Sequence, residues 1–384
     1  MLLRGPKVLK RTTSNPPDDT IGMDLIERPA SRLTPGLAHG ASDYHVLSER
    51  IRGAGLLQRR PGYYSLKIGL TITGFALGWL AFFLVGNSWA TLGIAVLLAV
   101  LFTQVVFLGH DAGHQQISNS RHVNRLVGLL TGNALTGLSF GWWIPKHNAH
   151  HAYPNQIGRD PDLGGGLIAF AVTPDAAEDQ RLAVRLRARL QIWLSFVLLL
   201  LQGLGLHVTS VQHAFRRRGR PGAADGLLLA GNAALYLTAV FWVLSPLKAL
   251  AFIGVQQGLF GLYLGSTFAP NHKGMPVMDR DATAPYLQRQ VATARNVIGG
   301  RFVTLLFGGL NYQIEHHLFP SMPRPNLSRA QHIVEAFCME HDLPYRQMHI
   351  VASYRQAFRT LGTASENFVA PPAQLLSTRS GAGS

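Results

Sequence analysis

Hydrophobic positions in this chain are concentrated in long runs separated by polar stretches. The runs at 67–86 and 88–109 are each roughly 20 residues long, enough for an α-helix to cross a hydrocarbon layer. Gly86-Asn87-Ser88 between them is a turn signal, so the pair predicts a tight transmembrane hairpin. A shorter apolar stretch, 126–140, leads to Trp142-Trp143, a pair suited to a membrane interface. Further runs lie at 190–206, 226–244 and 249–270, with Ser245-Pro246 between the last two. The polar residues 1–64 predict a partly ordered cytosolic arm and 65–350 a membrane domain; residues 351–384 predict a C-terminal tail with a disordered end.

Composition agrees with the runs. Hydrophobic residues make up 47% of the 384 and charged residues only 14%, against about one quarter in a soluble domain. The formal charge of +15 fits nucleic acid, an anionic lipid surface or an acidic soluble partner. No zinc-finger or RNA-binding motif is present, so nucleic acid is set aside. One cysteine, Cys338, excludes an intrachain disulfide and fits a reducing compartment. Met1-Leu-Leu-Arg-Gly-Pro-Lys7 lacks the apolar core of a secretory signal, and the N-terminus is expected to be cytosolic.

Three histidine clusters change the picture from membrane protein to metal protein. They are His110-Asp-Ala-Gly-His114, His147-Asn-Ala-His150-His151 and Gln313-Ile-Glu-His316-His317. Spacings of three and four place their rings on one helix face. Seven imidazoles are too many for one tetrahedral zinc and suit two ions. His272, in Phe268-Ala-Pro-Asn-His272, makes eight, or four each. Asp111, Asp160, Asp162, Asn271 and Glu315 are candidates to hold the other ring N–H groups. Gln313 takes the place of a possible ninth imidazole and can hydrogen-bond a ligand or cap a helix. The remaining histidines, such as His207 and His341, lack partners at ligand spacing and read as surface or interfacial.

All clusters must meet, so an even number of crossings must separate the second from the third. Arg216, Arg217, Arg218 and Arg220 follow the 190–206 run, and short Arg-rich loops stay cytoplasmic. That run is therefore expected to lie along the interface. The expected fold is an all-α integral membrane protein, with four transmembrane helices in two hairpins under a cytosolic helical cap. Termini and clusters would all be cytoplasmic. Imidazoles without thiolates favour iron over zinc or copper for redox work. Apolar spans beneath the centre imply a hydrocarbon substrate whose unactivated C–H bond is oxidised with O2 and two external electrons.

The three boxes, with His150-His151-Ala-Tyr-Pro-Asn155 and Glu315-His316-His317-Leu-Phe-Pro320, resemble those of the membrane fatty acid desaturases over roughly 65–350. Gln313 in the third box resembles the branch holding front-end and actinobacterial acyl-CoA desaturases. The resemblance implies a mushroom-like helical fold, a non-haem di-iron centre and insertion of a cis double bond into a long-chain acyl group, acyl-CoA or lipid-linked. It implies His110, His114, His147, His150, His151, His272, His316 and His317 as iron ligands, and a multi-pass position, expected in a bacterial cell membrane. Without the His-Pro-Gly-Gly of a fused haem domain or a GxGxxG context, electrons are expected from a separate ferredoxin or NAD(P)H-dependent reductase. Two other functions share parts of this pattern. A di-iron hydroxylase or ketolase would yield an alcohol or ketone in place of an alkene. A metal transporter would carry its ligands inside the spans.

Overall fold

A computed structural model describes residues 35–163, 181–216 and 220–362. In chain order they form α1 (Pro35–Gly53), α2 (Pro61–Val85), α3 (Thr91–Gly113), α4 (Arg121–Leu129) with a π-helical turn at Leu130–Thr136, and α5 (Phe140–Ala152). Then follow α6 (Arg181–Arg216), α7 (Arg220–Val243), α8 (Pro246–His272), α9 (Tyr286–Thr293), β1 (Asn296–Ile298), α10 (Gly300–Leu306) and α11 (Gln313–Leu318). The chain closes with α12 (Leu327–Glu340), β2 (Gln347–His349) and α13 (Ile350–Gly362). β1 and β2 pair in parallel, Asn296 opposite Gln347; the rest of the described architecture is helical, as an all-α membrane protein requires.

Helices α2 and α3 form the expected hairpin. Pro61 opens α2, where its missing N–H costs nothing, and Gly86 closes it at φ 64°. The two helices approach closely at Gly78, where an added Cβ would stand 2.9 Å from side-chain carbons of Leu98 and Leu101. Phe82 of α2 meets Phe252 of α8 at 4.8 Å between rings, and Phe75 meets Phe102 at 5.1 Å. Asn87 joins the two hairpins at their far end: its carbonyl accepts from Lys248 Nζ at 2.8 Å, and its side chain accepts from Ser245 N.

Among the described residues five helices are long and apolar enough to cross a membrane, one for each of the five long apolar runs: α2, α3, Trp193–Arg216 of α6, Ala223–Val243 of α7, and α8. The run expected to end at 206 continues in helix to Arg216. It packs along α8 through small residues, a Cβ on Gly261 falling 2.5 Å from Gly203 N. Arg217 and Arg218, which placed that loop in the sequence reading, lie outside the described residues, as do 1–34 and 363–384.

Two expected boundaries cut through packed structure. The arm expected over 1–64 contributes Leu47, Ile51 and Leu56 to the same core as Val334 and Phe337 of α12. Their apolar side chains leave water there, which a free arm would forgo. At the other end, the expected tail from 351 begins in α13, whose Ser353 and Ala357 are buried.

Candidate metal centre

Each histidine is delivered by the end of a helix. The last turn of α3 brings His110 and His114; α5, capped by the Ser139 hydroxyl accepting from Trp142 N, brings His147, His150 and His151. His272 is the last residue of α8, and α11 carries Gln313, His316 and His317. All eight rings are buried and mutually close. His114 Nε2 lies 2.9 Å from His147 Nε2, which lies 3.1 Å from His151 Nε2. Ligand nitrogens of His110, His114, His147 and His316 fall within 4.8 Å of one another, and so do those of His150, His272 and His317. His151 bridges the two groups, its ring 4.6 Å from His114 and stacked 4.3 Å from His317.

The surroundings fix which way several rings face. Asp160 accepts from His150 Nδ1 at 3.0 Å and is itself held by the N–H groups of Asn155 and Asp162, both at 2.8 Å. Gln290 accepts from His317 Nδ1 at 2.9 Å and donates to the His151 carbonyl. The Thr293 carbonyl accepts from His272 Nδ1 at 3.0 Å. Trp143 stacks on His147 with centroids 4.3 Å apart. Asn155 turns this loop in the left-handed region, φ 54°, which Asn tolerates better than most residues.

Do these residues fit a metal? Burial, and then mutual repulsion, holds His114, His147, His151, His316 and His317 well below the usual imidazole range, so each ring is neutral with a lone pair available. His110 Nε2, His317 Nε2, His151 Nδ1 and both nitrogens of His316 are buried without a hydrogen-bond partner. Such orphans are costly unless something absent from the protein chain satisfies them. An all-nitrogen donor set with carboxylate support suits a first-row transition metal such as iron.

Several sequence candidates sit elsewhere. Glu315 faces away from the rings, accepting from Asn296 Nδ2 and Tyr345 OH at 2.8 Å each, and burial pushes its carboxyl up to about 7. It anchors α11 and orients no ring. Asp111 is 3.6 Å from His110 Nδ1 but 2.7 Å from Arg324 Nη2, its main partner. Asp162 pairs with Lys146 and lies 3.6 Å from His150. Asn271 donates to Gln313 Oε1 at 3.1 Å, and the Gln313 amide nitrogen lies 2.9 Å from His272 Nε2. Gln290, Asn155 and Thr293 were not foreseen. Gln290 follows Gln288 and Arg289 in a polar stretch, and only its spacing of three from buried Leu287 on α9 marks it as inward.

A cavity of about 310 Å3 runs past the centre. Its walls combine Lys146, Asp162 and Lys273, the rings of His110, His147, His272 and His316, and the apolar side chains of Leu138, Leu199, Leu206, Leu264 and Phe268.

A sequence model of the fatty acid desaturase family matches residues 87–349, from the first hairpin turn to β2. The chain belongs to the fatty acid desaturase family. Curated desaturases align along most of the chain. A delta(8)-fatty-acid desaturase of Euglena gracilis is 32% identical over 83% of this chain and 78% of its own length. A delta(5) fatty acid desaturase of Caenorhabditis elegans is 32% identical over 78% of the chain and 68% of its own. An acyl-lipid (9-3)-desaturase of Physcomitrium patens is 30% identical over 79% of the chain, which spans only 59% of that relative's length. These desaturases are eukaryotic, so they lend nothing to the expected bacterial origin.

Proposed function

We propose that the protein is an O2-dependent fatty acyl desaturase whose eight histidines hold two iron ions. The observation that carries this reading is the convergence of eight buried rings, five of them held neutral, beside a mostly apolar cavity. Bound iron supplies the oxidising power for an unactivated C–H bond. The balance is a CH2–CH2 unit, O2, two electrons and two protons giving a CH=CH unit and two waters. A separate redox protein or reductase supplies the electrons.

The chain's own residues supply position and dryness. Leu199, Leu206, Leu264 and Phe268 receive the hydrocarbon and exclude water from the reacting carbons. Asp160, Gln290 and the Thr293 carbonyl hold three rings by Nδ1, leaving Nε2 to face the centre. Lys146 and Lys273, which share the cavity lining with Asp162, supply cationic groups suited to the phosphate groups of an acyl-CoA or a phospholipid. Both lysines adjoin histidines, Lys146 beside His147 and Lys273 beside His272.

Four crossings are proposed, with the termini and the centre on the cytosolic side. Histidines at the ends of α3 and α8 share one site, so only two of α6, α7 and α8 can cross between them. Expression in a host of defined lipid content, with mass spectrometry of fatty acid methyl esters, tests the function. A new alkene is expected, and His150→Ala and His316→Ala each abolish it while the protein still inserts. An alcohol product would assign the chain to hydroxylation. Retained desaturation in either variant would remove that residue from the ligand set.

A further inference from the structure

Pro270 interrupts α8 two residues before His272. Lacking an N–H, it leaves the Ser266 carbonyl without its helical partner. Tyr354 of α13 donates its hydroxyl to that carbonyl at 2.8 Å. Three further carbonyls at this helix end are taken up by Arg295. Arg295 N donates to Asn271 O at 3.0 Å, Arg295 Nε to Pro270 O at 2.5 Å, and Arg295 Nη2 to Lys273 O at 2.6 Å. The guanidinium reaches onward into α13, to Gln356 Oε1 at 2.7 Å and Ser353 O at 3.2 Å, while Gln356 Nε2 returns to Gly274 O at 2.8 Å.

Arg295 is wholly buried, and these acceptors are all neutral. A buried cation facing only neutral oxygens is costly unless it meets a negative pole. The C-terminus of a 27-residue helix is such a pole. The segment that links α9 to β1 therefore has two tasks: Thr293 O holds the His272 ring, and Arg295 holds the main chain that carries it.

We propose that Arg295 and α13 form a clamp that positions His272, with Arg295, Tyr354 and Gln356 as positioning residues for that ligand. The proposal rests on the reading of His272 as an iron ligand. It assigns a task to α13, which lies beyond the residues matched by the family model and within the stretch expected to be a tail.

The test uses the full-length protein purified in detergent, with iron content and amide hydrogen exchange as readouts. Tyr354→Phe and Arg295→Lys are expected to speed exchange of the amides at 271–274 about tenfold, the change that loss of one buried hydrogen bond produces. Arg295→Met and His272→Ala are each expected to lose about half the bound iron, and Arg295→Lys to recover part of it. Monodisperse elution serves as the folding control. Wild-type exchange at 271–274 in both Tyr354→Phe and Arg295→Lys overturns the clamp, whatever Arg295→Met does. A wild-type protein that binds no iron overturns the reading of the centre instead, and the exchange measurement still decides the clamp.

Discussion

The Arg324 guanidinium stands 2.7 Å from the Asp111 carboxylate, both side chains buried beside the turn that delivers His110. The contact is one of charge more than of an aligned hydrogen bond: that carboxylate oxygen has no donor in line, and the same Nη2 donates to Phe107 O at 2.8 Å. Removing one partner leaves the other as an uncompensated buried charge, which costs about 3–5 kcal/mol. Arg324→Met should therefore lower thermal stability in detergent and reduce bound iron. The double variant Arg324→Met with Asp111→Asn should recover most of the stability, since no lone charge remains. A double variant as unstable as the single one would show that the pair is not coupled.

Gly113 has a steric reason to be glycine. A Cβ there would lie 2.6 Å from Trp143 Cζ3, and that indole stacks on His147. Gly113→Ala should force the ring to move, at a cost of about 1–3 kcal/mol. Turnover should fall more than expression does, because the displaced ring supports a ligand. Pairing it with Trp143→Leu, which empties the contact, should restore stability but not the stacked position of His147. Wild-type turnover in Gly113→Ala would refute the steric account.

The histidines were legible in the sequence because ligand spacing on a helix is local: His110 and His114, or His147 and His151, share a face by periodicity alone. The helices beneath them were legible from run length. What holds the rings was not. Gln290 meets His317 across 27 residues, and Thr293 meets His272 across 21; no local pattern announces either contact. Glu315 misled for the same reason. Its place beside His316 suggested a carboxylate for a ring, yet successive helical residues point apart, and it turns to Asn296 and Tyr345. The length of α6 escaped because past 206 its apolar residues thin to Val208, Val211 and Phe215, a helical spacing that a search for continuous apolar runs does not count.

Cys338 offers a clean probe of the core shared by α1, α11 and α12. It is fully buried on α12, and burial first, then the nearby Glu315 and Glu335 carboxylates, pushes its thiol up to about 12. Thiolate is the reactive form, so at pH 8 the native thiol should react with a maleimide about a thousandfold more slowly than an exposed one. As the only cysteine, it reports without background. Labelling should appear on heating in step with the loss of helix. Rapid labelling of the native protein would mean that the packing of α1, α11 and α12 opens readily.

The neutral imidazoles make a prediction about acid. His114, His147, His151, His316 and His317 are held well below the ordinary imidazole value, by burial first and then by one another. In the unfolded chain each takes up a proton near the ordinary value of about 6.5, while in the folded chain each stays neutral until much lower pH. Between those values the unfolded state binds more protons, so stability rises with pH there. Metal-free protein should keep its stability above pH 7 and lose it steadily from about pH 6.5 downwards. Substituting His316 with Ala removes one of the five groups and should make the decline shallower, a direction that simple loss of packing would not give. Melting temperatures measured from pH 8 to pH 5 in the metal-free protein decide the matter, and an unchanged midpoint across that range would contradict the buried neutral cluster.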